Sequence, residues 1–577
     1  MNQQDTVNFI WSIAELLRGD YKQSDYGKVI LPFTLLRRLD YVLADTRDAV
    51  CKEYEAKKDS GVALDFLLQK KSGYPFYNTS RLDFVKLLAD AANIKDNLIA
   101  YINGFSDNIR DIFDRYDFRA QIERLEAANL LYQVVQKFVD AKVDLHPRTM
   151  RNADMGTMFE ELIRRFAELS NETAGEHWTP RDVIKLMVTL LLNFDDKALT
   201  PATRVIRRVY DPAAGTGGML SVTEEYVHEH NQDATIVAHG QELNPESYAV
   251  CKADMLIKGQ DIANIAFGNT LSDDAFADNT FDYMLSNPPF GVDWKKVEKQ
   301  VRDEHEKRGH AGRFGPGLPR VSDGSLLFLM HMLSKMKHAP KSEEEKSRVA
   351  IVLNGSPLFT GGAGSGESEI RRWIIEHDWL EAIIALPADM FYNTGIATYV
   401  WLLTNWKEDR RKGKIQLINA GDGYRKMRKS LGSKRKELAP EHIEAAAKLY
   451  GAFAESPQSK ILPNEVFGYR TITVERPLRA ANGKPEKDKK GKLKADSKRR
   501  DTENVPLLED VEAYFKREVL PHAPDAWIDH AKTKTGYEIP FARHFYQYTP
   551  PRPLEDIDRD LKEVSAEIME LLKDVAA

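Results

Sequence analysis

The fold is decided by one apolar run and the turn that follows it, residues 205–218, which read VIRRVYDPAAGTGG. Residues 205–210 have the β-branched and aromatic composition of a strand. The small residues after it let the backbone approach a ligand closely, and a helix is expected to begin just beyond them, with its amino terminus toward that ligand. Taken alone, the turn fits either an ordinary tight turn or a nucleotide site.

Five more short runs with strand character follow along the chain, at residues 235–239, 283–286, 349–353, 382–386 and 399–403. Helical patterns separate several of them, and this alternation predicts βαβ units with a mainly parallel sheet. Ligands of such sheets bind at the carboxyl ends of the strands. The motifs that could carry chemistry all lie at predicted strand ends.

The second predicted strand is followed by an acid, Glu242, 25 residues after Gly217. In dinucleotide folds an acid about 20 residues beyond the glycine turn accepts hydrogen bonds from ribose hydroxyls. A surface carboxylate is the alternative for Glu242 taken alone, and the preceding glycine turn favours the ribose contact. The chain has no Gly-x-x-x-x-Gly-Lys-Ser/Thr loop, so an ATP-driven motor is not encoded here.

The third predicted strand, residues 281–286, is followed directly by Asn287-Pro288-Pro289-Phe290. Two prolines end a strand because they cannot donate ladder hydrogen bonds, and Pro288 holds Asn287 in an extended conformation. The result is a stiff corner. We expect it to present the side-chain carbonyl of Asn287 and the backbone carbonyl of Pro288 outward, with the aromatic face of Phe290 beside them.

Such a corner suits the methylation of an exocyclic amine, whose lone pair is delocalised into an aromatic ring. Two acceptors aimed at the two N–H bonds favour a more pyramidal nitrogen, which can attack the methyl group of a sulfonium in line. Positioning then supplies most of the acceleration, and Phe290 would stack on a base that has left the duplex. We therefore predict Asn287, Pro288, Pro289 and Phe290 as catalytic residues, with a rigid structural corner as the alternative.

The chain outside this region divides into segments of different character. Residues 1–150 are mostly helical in pattern and are predicted to form a helical domain, residues 151–420 the α/β catalytic domain, and residues 421–577 a polar, basic extension. The extension ends in a predicted coiled-coil-like helix, 554–577. Its apolar residues recur in alternating steps of four and three: Ile557, Leu561, Val564, Ile568, Leu571 and Val575. This seam fits a partner helix, which we favour, or docking on the chain's own core.

Charge is distributed unevenly. The formal net charge of -6 does not indicate nucleic-acid binding by bulk charge. Seven cations nevertheless occur between residues 425 and 436 with no acid among them, and a second basic run lies at 484–500. Each run fits either a solvated loop or a surface that follows DNA phosphates nonspecifically.

The remaining composition is that of an ordinary soluble globular protein, 42% hydrophobic and 29% charged. No run of about 18 apolar residues predicts a membrane span, and residues 1–11 lack a secretory pattern. Cys51 and Cys251 form no metal-ligand spacing, so neither a metal site nor a disulfide framework is expected. We therefore expect a cytoplasmic, reducing location without a membrane partner.

Together these motifs resemble the modification (methylation) subunit of type I restriction–modification systems. The resemblance covers most of the chain and includes residues 9–19, 175–181, 367–371, 386–396 and 469–478 besides the glycine turn and the Asn-Pro-Pro-Phe corner. It implies a Rossmann-like class I S-adenosylmethionine-dependent methyltransferase with an N-terminal helical domain and a C-terminal helical tail. The cofactor motif precedes the catalytic motif, with Thr179-Pro180 upstream of both, as in the gamma arrangement of amino-methyltransferases.

The resemblance also assigns further cofactor residues. Residues 175–181 resemble the family segment that helps to hold the methionine part of the cofactor, with Trp178 in place of a smaller aromatic residue. Asn269 stands where related enzymes often place an aspartate near the adenine of the cofactor. The complete predicted set is Glu176, His177, Trp178, Thr179, Pro180, Arg181, Asp211, Ala213, Gly215, Thr216, Gly217, Gly218, Glu242 and Asn269.

The function implied is methyl transfer to the N6 amine of a flipped adenine in double-stranded DNA. Subunits of this family depend on a separate specificity subunit to choose the DNA site, usually act as two copies, and can be joined by a motor–nuclease subunit. Two alternatives remain at this point. The chain could be a stand-alone methyltransferase of RNA or of a protein glutamine, or a scaffold that binds partners without methylating.

Overall fold

A computed structural model describes residues 3–140, 143–169, 179–193, 195–342, 345–392, 394–480, 483–488, 491–546, 548 and 552–576. Two compact units are distinguished by their internal contacts, residues 1–539 and residues 540–577. Within the described residues, no helix has both the length and the apolar character that a membrane span requires.

The first ten helices of the described part of the chain confirm the predicted N-terminal helical region. They are α1 (Gln3–Leu17), α2 (Tyr26–Leu43), α3 (Arg47–Lys57), α4 (Asp65–Ser72), α5 (Phe84–Ala89), α6 (Ile94–Asn103), α7 (Asp107–Arg115), α8 (Phe118–Ala127), α9 (Leu131–Val139) and α10 (Asn152–Leu169). Helix α9 illustrates why they form. Its apolar residues Leu131, Val134, Val135 and Phe138 recur at helical spacing, and all four are buried on one face.

A nine-stranded sheet forms the α/β part. Its strands are β1 (Ile206–Asp211), β2 (Thr235–Glu242), β3 (Ile265–Phe267), β4 (Tyr283–Ser286), β5 (Arg348–Asn354), β6 (Leu380–Ala385), β7 (Thr398–Thr404), β8 (Lys414–Asn419) and β11 (Ser459–Pro463). The order across the sheet is β11-β8-β6-β7-β5-β4-β1-β2-β3. Strands β3, β2, β1, β4 and β5 pair in parallel, whereas β7 runs antiparallel to both β5 and β6.

All six predicted strands are present, and the mainly parallel sheet is confirmed. The chain passes from β1 to β2 on one side and later to β4 on the other side of β1, so the order reverses at β1. Such a switch point opens a crevice at the carboxyl ends of the central strands. Helices α11 (Arg181–Leu192) and α12 (Asp196–Leu199) precede β1. The helices between the strands are α13 (Gly218–His230), α14 (Pro245–Lys258), α15 (Glu298–Arg308), α16 (Ser325–Ser334), α17 (Ser356–Phe359) and α18 (Gly366–Glu376).

The domain boundary predicted at residue 420 falls inside this sheet. A basic hairpin, β9 (Arg425–Leu431) with β10 (Lys434–Glu437), leaves the sheet after β8. Helix α19 (Pro440–Ala452) then packs against α11, and β11 pairs with β8 as the edge strand. The change to a basic composition therefore marks a hairpin on the α/β unit, and the catalytic fold continues to Pro463.

A second, smaller sheet follows, with β12 (Gly468–Glu475) between β13 (Asp501–Pro506) and β14 (Trp527–Tyr537). Helix α20 (Val511–Tyr514) lies between β13 and β14. This sheet has its own core of Ile472, Val474, Val505, Phe515 and Val519. The segment after 463 is thus a folded subdomain rather than a basic extension alone.

The C-terminal unit contains α21 (Phe541–Phe545) and the long helix α22 (Leu554–Ala576). The predicted helix at 554–577 therefore forms. Four residues of its seam are solvent-exposed: Ile557 by 39%, Leu561 by 60%, Val564 by 52% and Ile568 by 52%. The side chains of Leu571 and Val575, which continue the seam, lie outside the described residues.

Candidate functional site

The carboxyl ends of β1, β2 and β4 lie side by side because these strands are neighbours that run in parallel. A cavity of about 560 Å³ opens at this edge of the sheet. The predicted residues that line it are Thr179, Arg181, Asp211, Ala213, Gly215, Thr216, Gly218, Glu242, Asn269, Asn287 and Pro289. Residues from distant parts of the sequence are therefore brought to one site.

Four predicted residues adjoin the wall without lining the cavity: Pro180, Gly217, Pro288 and Phe290. Ala214 lines the cavity although it was not predicted. Glu176, His177 and Trp178 lie outside the described residues.

The glycine turn connects β1 to α13 in the predicted way. Gly217 has a φ of +83°, a backbone conformation that side-chain-bearing residues rarely adopt. A Cβ at this position would also meet the Sγ of Cys251 on α14 at 2.6 Å. Both the turn and the close approach of α14 therefore require glycine, and α13 begins at Gly218 with its amino terminus at the cavity.

Asp211 joins two strand ends beneath the cavity. It is 1% exposed, and its Oδ1 accepts hydrogen bonds from the Ala213 N–H at 2.9 Å and from the Ser286 hydroxyl at 2.9 Å. Burial raises the pKa of the Asp211 carboxyl to about 7, against these two hydrogen bonds. Since Ser286 directly precedes Asn287, Asp211 fixes the position at which the corner leaves β4.

Glu242 supports the glycine turn as well as facing the cavity. Its Oε2 accepts a hydrogen bond from the Gly215 N–H at 2.7 Å, and its Oε1 accepts one from the Asn244 N–H at 2.7 Å. A carboxylate oxygen can accept more than one hydrogen bond, so both oxygens retain acceptor capacity toward a ligand. The neighbouring Leu243 lines the cavity and is 58% exposed.

The orientation of the Asn287 amide is set by Thr179. The Asn287 Nδ2 donates a hydrogen bond to the Thr179 Oγ1 at 3.0 Å, so that the amide nitrogen is turned toward Thr179. The Asn287 Oδ1 is buried and has no hydrogen-bond partner among the described residues. Leaving a buried carbonyl unpaired costs about 1–3 kcal/mol. This oxygen is thus free to accept a hydrogen bond from a ligand in the cavity that Asn287 lines.

Phe290 is half-buried beside this corner. Its ring packs edge-on against Phe391, with centroids 5.7 Å apart and an interplanar angle of 81°. Phe391 is buried, so one side of Phe290 is fixed by the protein. An aromatic ring held in this way is preorganised for stacking against a planar ligand.

Two further predicted residues of the wall, Asn269 and Arg181, already form hydrogen bonds within the chain. Asn269 accepts a hydrogen bond from the Leu271 N–H at 3.0 Å, which holds its amide at the cavity wall. Arg181 donates hydrogen bonds to Glu160 and Glu225. The guanidinium of Arg181 therefore belongs to a network of ion pairs with its own chain.

Sequence reasoning missed the apolar part of the wall, which includes Leu243, Val292, Trp294 and Phe328. Leu243 could have been found, because it follows Glu242 directly at the end of β2. The other three lie in a loop or on α16 and carry no local motif. Trp294 is held in place because its Nε1 donates a hydrogen bond to the Arg320 carbonyl at 3.0 Å.

Comparison with known families covers both the helical and the α/β parts. The model of the N-6 DNA methylase family matches residues 151–465, which is more than half of the chain. The model of the HsdM N-terminal domain matches residues 6–138. A DNA methylase family supports the interpretation as a DNA methyltransferase over the alternatives of an RNA or protein substrate and of a silent scaffold.

Similar individual proteins agree with these matches. The chain is 25% identical over 484 residues to the type I restriction enzyme MjaIX methylase subunit of Methanocaldococcus jannaschii, covering 81% of this chain and 80% of that protein. It resembles in fold the type I restriction–modification methyltransferase subunit of Streptococcus thermophilus, with a TM-score of 0.62 and 23% identity over 80% of this chain and 96% of that one.

A third similar chain comes from a study of complex assembly and conformational transition in the type I restriction–modification system. Its TM-score is 0.53 at 19% identity, and the likeness covers 100% of this chain and 98% of that one. Family and fold together imply S-adenosylmethionine as the methyl donor. From these matches and from the site built on β1, β2 and β4, the chain belongs to the N-6 DNA methylase family, as a modification subunit of the type I restriction–modification kind.

Proposed function

We propose that this methylase transfers a methyl group from S-adenosylmethionine to the N6 amine of an adenine that has been flipped out of double-stranded DNA. The observation that carries the proposal is the buried Oδ1 of Asn287, which has no hydrogen-bond partner among the described residues, while Thr179 holds the Asn287 Nδ2. An acceptor without a partner is what an N–H donor of a substrate requires.

The residues of the cavity fit the proposed cofactor. Glu242 retains acceptor capacity for ribose hydroxyls, and the exposed side chain of Leu243 offers an apolar surface to a planar base. Asn269 would lie near the cofactor adenine, and residues 176–181 with the glycine turn would hold the methionine part. When bound, S-adenosylmethionine supplies a sulfonium methyl group as the electrophile.

The chain's own contribution is positioning. The Asn287 Oδ1 and the Pro288 carbonyl would accept hydrogen bonds from the two hydrogens of the amine, and Phe290 would stack on the extruded base. Asp211 holds the Ser286 hydroxyl immediately before this corner. Orientation of both reactants can lower a barrier by several kcal/mol without a strong base.

The interpretation as a modification subunit also predicts the complex in which the chain acts. We infer that a specificity subunit chooses the DNA site, that two copies of this chain bind it, and that a motor–nuclease subunit can join them. The exposed apolar seam of α22 supports a helical partner. The fold likeness to a chain studied for complex assembly is consistent with this inference.

Replacing Asn287 tests the proposed chemistry. Asn287→Ala in the complex with the specificity subunit should lower methyl transfer to DNA at least about 100-fold, since it removes an acceptor made for the transition state. Cofactor affinity, measured by calorimetry, should change little. Asn354→Ala is a matched control. Asn354 ends the neighbouring strand β5 and caps Ser356 instead of lining the cavity, so this variant should keep its transfer activity.

Retained activity in Asn287→Ala would contradict the catalytic assignment. Parallel assays on DNA, RNA and protein, with and without the specificity subunit, test the substrate and the partner. Site-specific methylation of DNA by this chain alone would contradict the dependence on a partner.

A further inference from the structure

The basic hairpin β9–β10 presents cations that the fold itself does not use. Lys426, Arg428 and Arg435 are exposed, and among the residues that the structure describes none of them forms an ion pair with a carboxylate. Arg425 differs, because it pairs with Glu437 across the hairpin at 2.8 Å. On a chain whose net charge is -6, three unneutralised cations on one hairpin are a local surface of opposite sign.

The hairpin is anchored firmly to the catalytic unit. Lys434 is 4% exposed, and its Nζ contacts Asp182 at 3.0 Å and the Met390 carbonyl at 3.1 Å. Asp182 also accepts a hydrogen bond from the Leu438 N–H at 2.8 Å. Asp182 lies in the first turn of α11, three residues after Thr179, which orients the Asn287 amide. A solvated loop would not need this buried ion pair at its base.

A second set of contacts joins the hairpin to the aromatic side of the corner. The Arg435 N–H donates to the Asp389 carbonyl at 2.9 Å, and the Ser433 N–H donates to the Tyr392 carbonyl at 2.8 Å. Phe391 lies between Asp389 and Tyr392 in the chain, and its ring contacts that of Phe290 at a centroid distance of 5.7 Å. The hairpin therefore lies one loop away from the aromatic ring of the corner.

The turn of the hairpin lies so close to the loop of residues 389–392 that it has no space for a side chain. Gly432 has a φ of +58°, and a Cβ there would meet the Tyr392 carbonyl oxygen at 2.5 Å. The position of the hairpin relative to residues 389–392 is thus fixed by backbone contacts, and its exposed cations have a defined location.

The second basic run differs in its charge pattern and in the elements that it contacts. Residues 484–500 contain nine Lys and Arg but also three acids, and these acids are interleaved with the cations. Glu486, for example, pairs with Lys494 at 3.2 Å. The short bridges of this arm join residues of the arm to one another, as in Lys487 with Leu493.

We propose that the β9–β10 hairpin binds the DNA backbone phosphates that flank the extruded base. This inference rests on the proposed function, because a base that stacks on Phe290 brings its neighbouring phosphates to the surface around the corner. Lys and Arg side chains supply the phosphate contacts that fix the register of a protein on the duplex without reading sequence. Lys426, Arg428 and Arg435 would then hold the strand while Asn287 receives the base.

The test removes the three positive charges while keeping polar, unbranched side chains, as K426Q/R428Q/R435Q. The matched control, K492Q/K498Q/R499Q, removes the same charge from the second basic arm. Binding of the full chain to a mixed-sequence DNA duplex of about 40 base pairs is followed by fluorescence anisotropy over a range of NaCl concentrations. Each phosphate contact contributes about 0.9 to the slope of log K against log salt, so the hairpin variant should lose roughly 2–3 from the slope.

Methyl transfer by the complex with the specificity subunit supplies the second measurement. The hairpin variant should have a KM for DNA at least about tenfold higher at physiological salt, as expected for lost phosphate contacts, with unchanged cofactor affinity. The control variant should stay within about twofold in both assays. An unchanged slope and KM in the hairpin variant, or equal losses in both variants, would overturn the inference. Failure of the proposed function is distinguishable, because the wild-type complex would then not methylate DNA at all.

Discussion

At the scale of single residues, the site depends on a carboxyl group placed where a charge is unfavourable. Asp211 is buried between β1 and β4, and its pKa of about 7 lies well above the value of about 3.9 for an exposed aspartate. Its two hydrogen-bond donors, the Ala213 N–H and the Ser286 hydroxyl, only partly offset the lost hydration. The geometry of the corner is therefore maintained at some cost in stability.

Replacing Asp211 by Asn should reveal this cost through its pH dependence. The folded-state pKa is raised, so the wild type loses stability as the pH rises from about 4 to about 7, by roughly 1.4 kcal/mol for each pH unit. Asn has similar shape, keeps an acceptor oxygen and does not titrate. Asp211→Asn should therefore gain a few kcal/mol relative to the wild type between pH 4 and pH 8, measured from unfolding midpoints. A stability difference that does not vary with pH would contradict the assignment.

The sequence allowed some of these residues to be predicted and not others. Asn287 and Asp211 could be found because each follows a recognisable strand. The hydrogen bond from Asn287 to Thr179 could not, since 108 residues separate them and no local pattern reports such a contact. Thr179 was predicted from the family resemblance as a cofactor residue, and the structure brings it into contact with the corner as well.

At the scale of elements, the strands that were predicted are those in the middle of the sheet. They are rich in apolar residues because both faces are covered, as in the fully buried strand β5. The three strands of the nine-stranded sheet that were missed are β3, β8 and β11. Strand β3 has three residues of which Ile265 alone is buried, and β11 is an edge strand that ends in Pro463. Short or one-sided strands give weaker patterns.

The glycine turn and α14 form a pair of elements that can be tested together. Gly217→Ala should weaken cofactor binding and lower stability by about 1–3 kcal/mol, because the new Cβ is strained at positive φ and overlaps the Cys251 Sγ. The double variant Gly217→Ala/Cys251→Ala removes the sulfur and should recover part of the stability loss, leaving the backbone strain.

Thermal unfolding of the two single variants and the double variant gives the coupling between the sites. Additive effects would show that the close approach of α14 to the turn does not limit this position. Calorimetric titration with S-adenosylmethionine measures the effect on the proposed cofactor site separately.

At the scale of the whole molecule, the chain combines a catalytic unit, residues 1–539, with a separate C-terminal unit. Periodicity was enough to predict that a helical part precedes an α/β part and that the chain ends in a helix. The extent of the α/β part could not be predicted in this way, because the change in composition near 420 reflects a surface hairpin. The later strand β11 pairs with β8, and Ser459 lies opposite Ile418 although the two are distant in sequence. Composition reports exposure, whereas sheet membership depends on long-range pairing.

The last prediction concerns α22, whose exposed seam is expected to bind a partner helix. Deleting residues 554–577 should abolish co-purification with the specificity subunit and leave cofactor affinity unchanged, since the cavity is lined entirely by residues of the catalytic unit among those described. Leu561→Asp/Ile568→Asp should have the same effect, because charges in an apolar helix interface are costly. The matched variant Lys562→Asp/Ala566→Asp places the same residue off the seam and should keep the complex. Equal behaviour of the two double variants would locate the partner elsewhere on the chain.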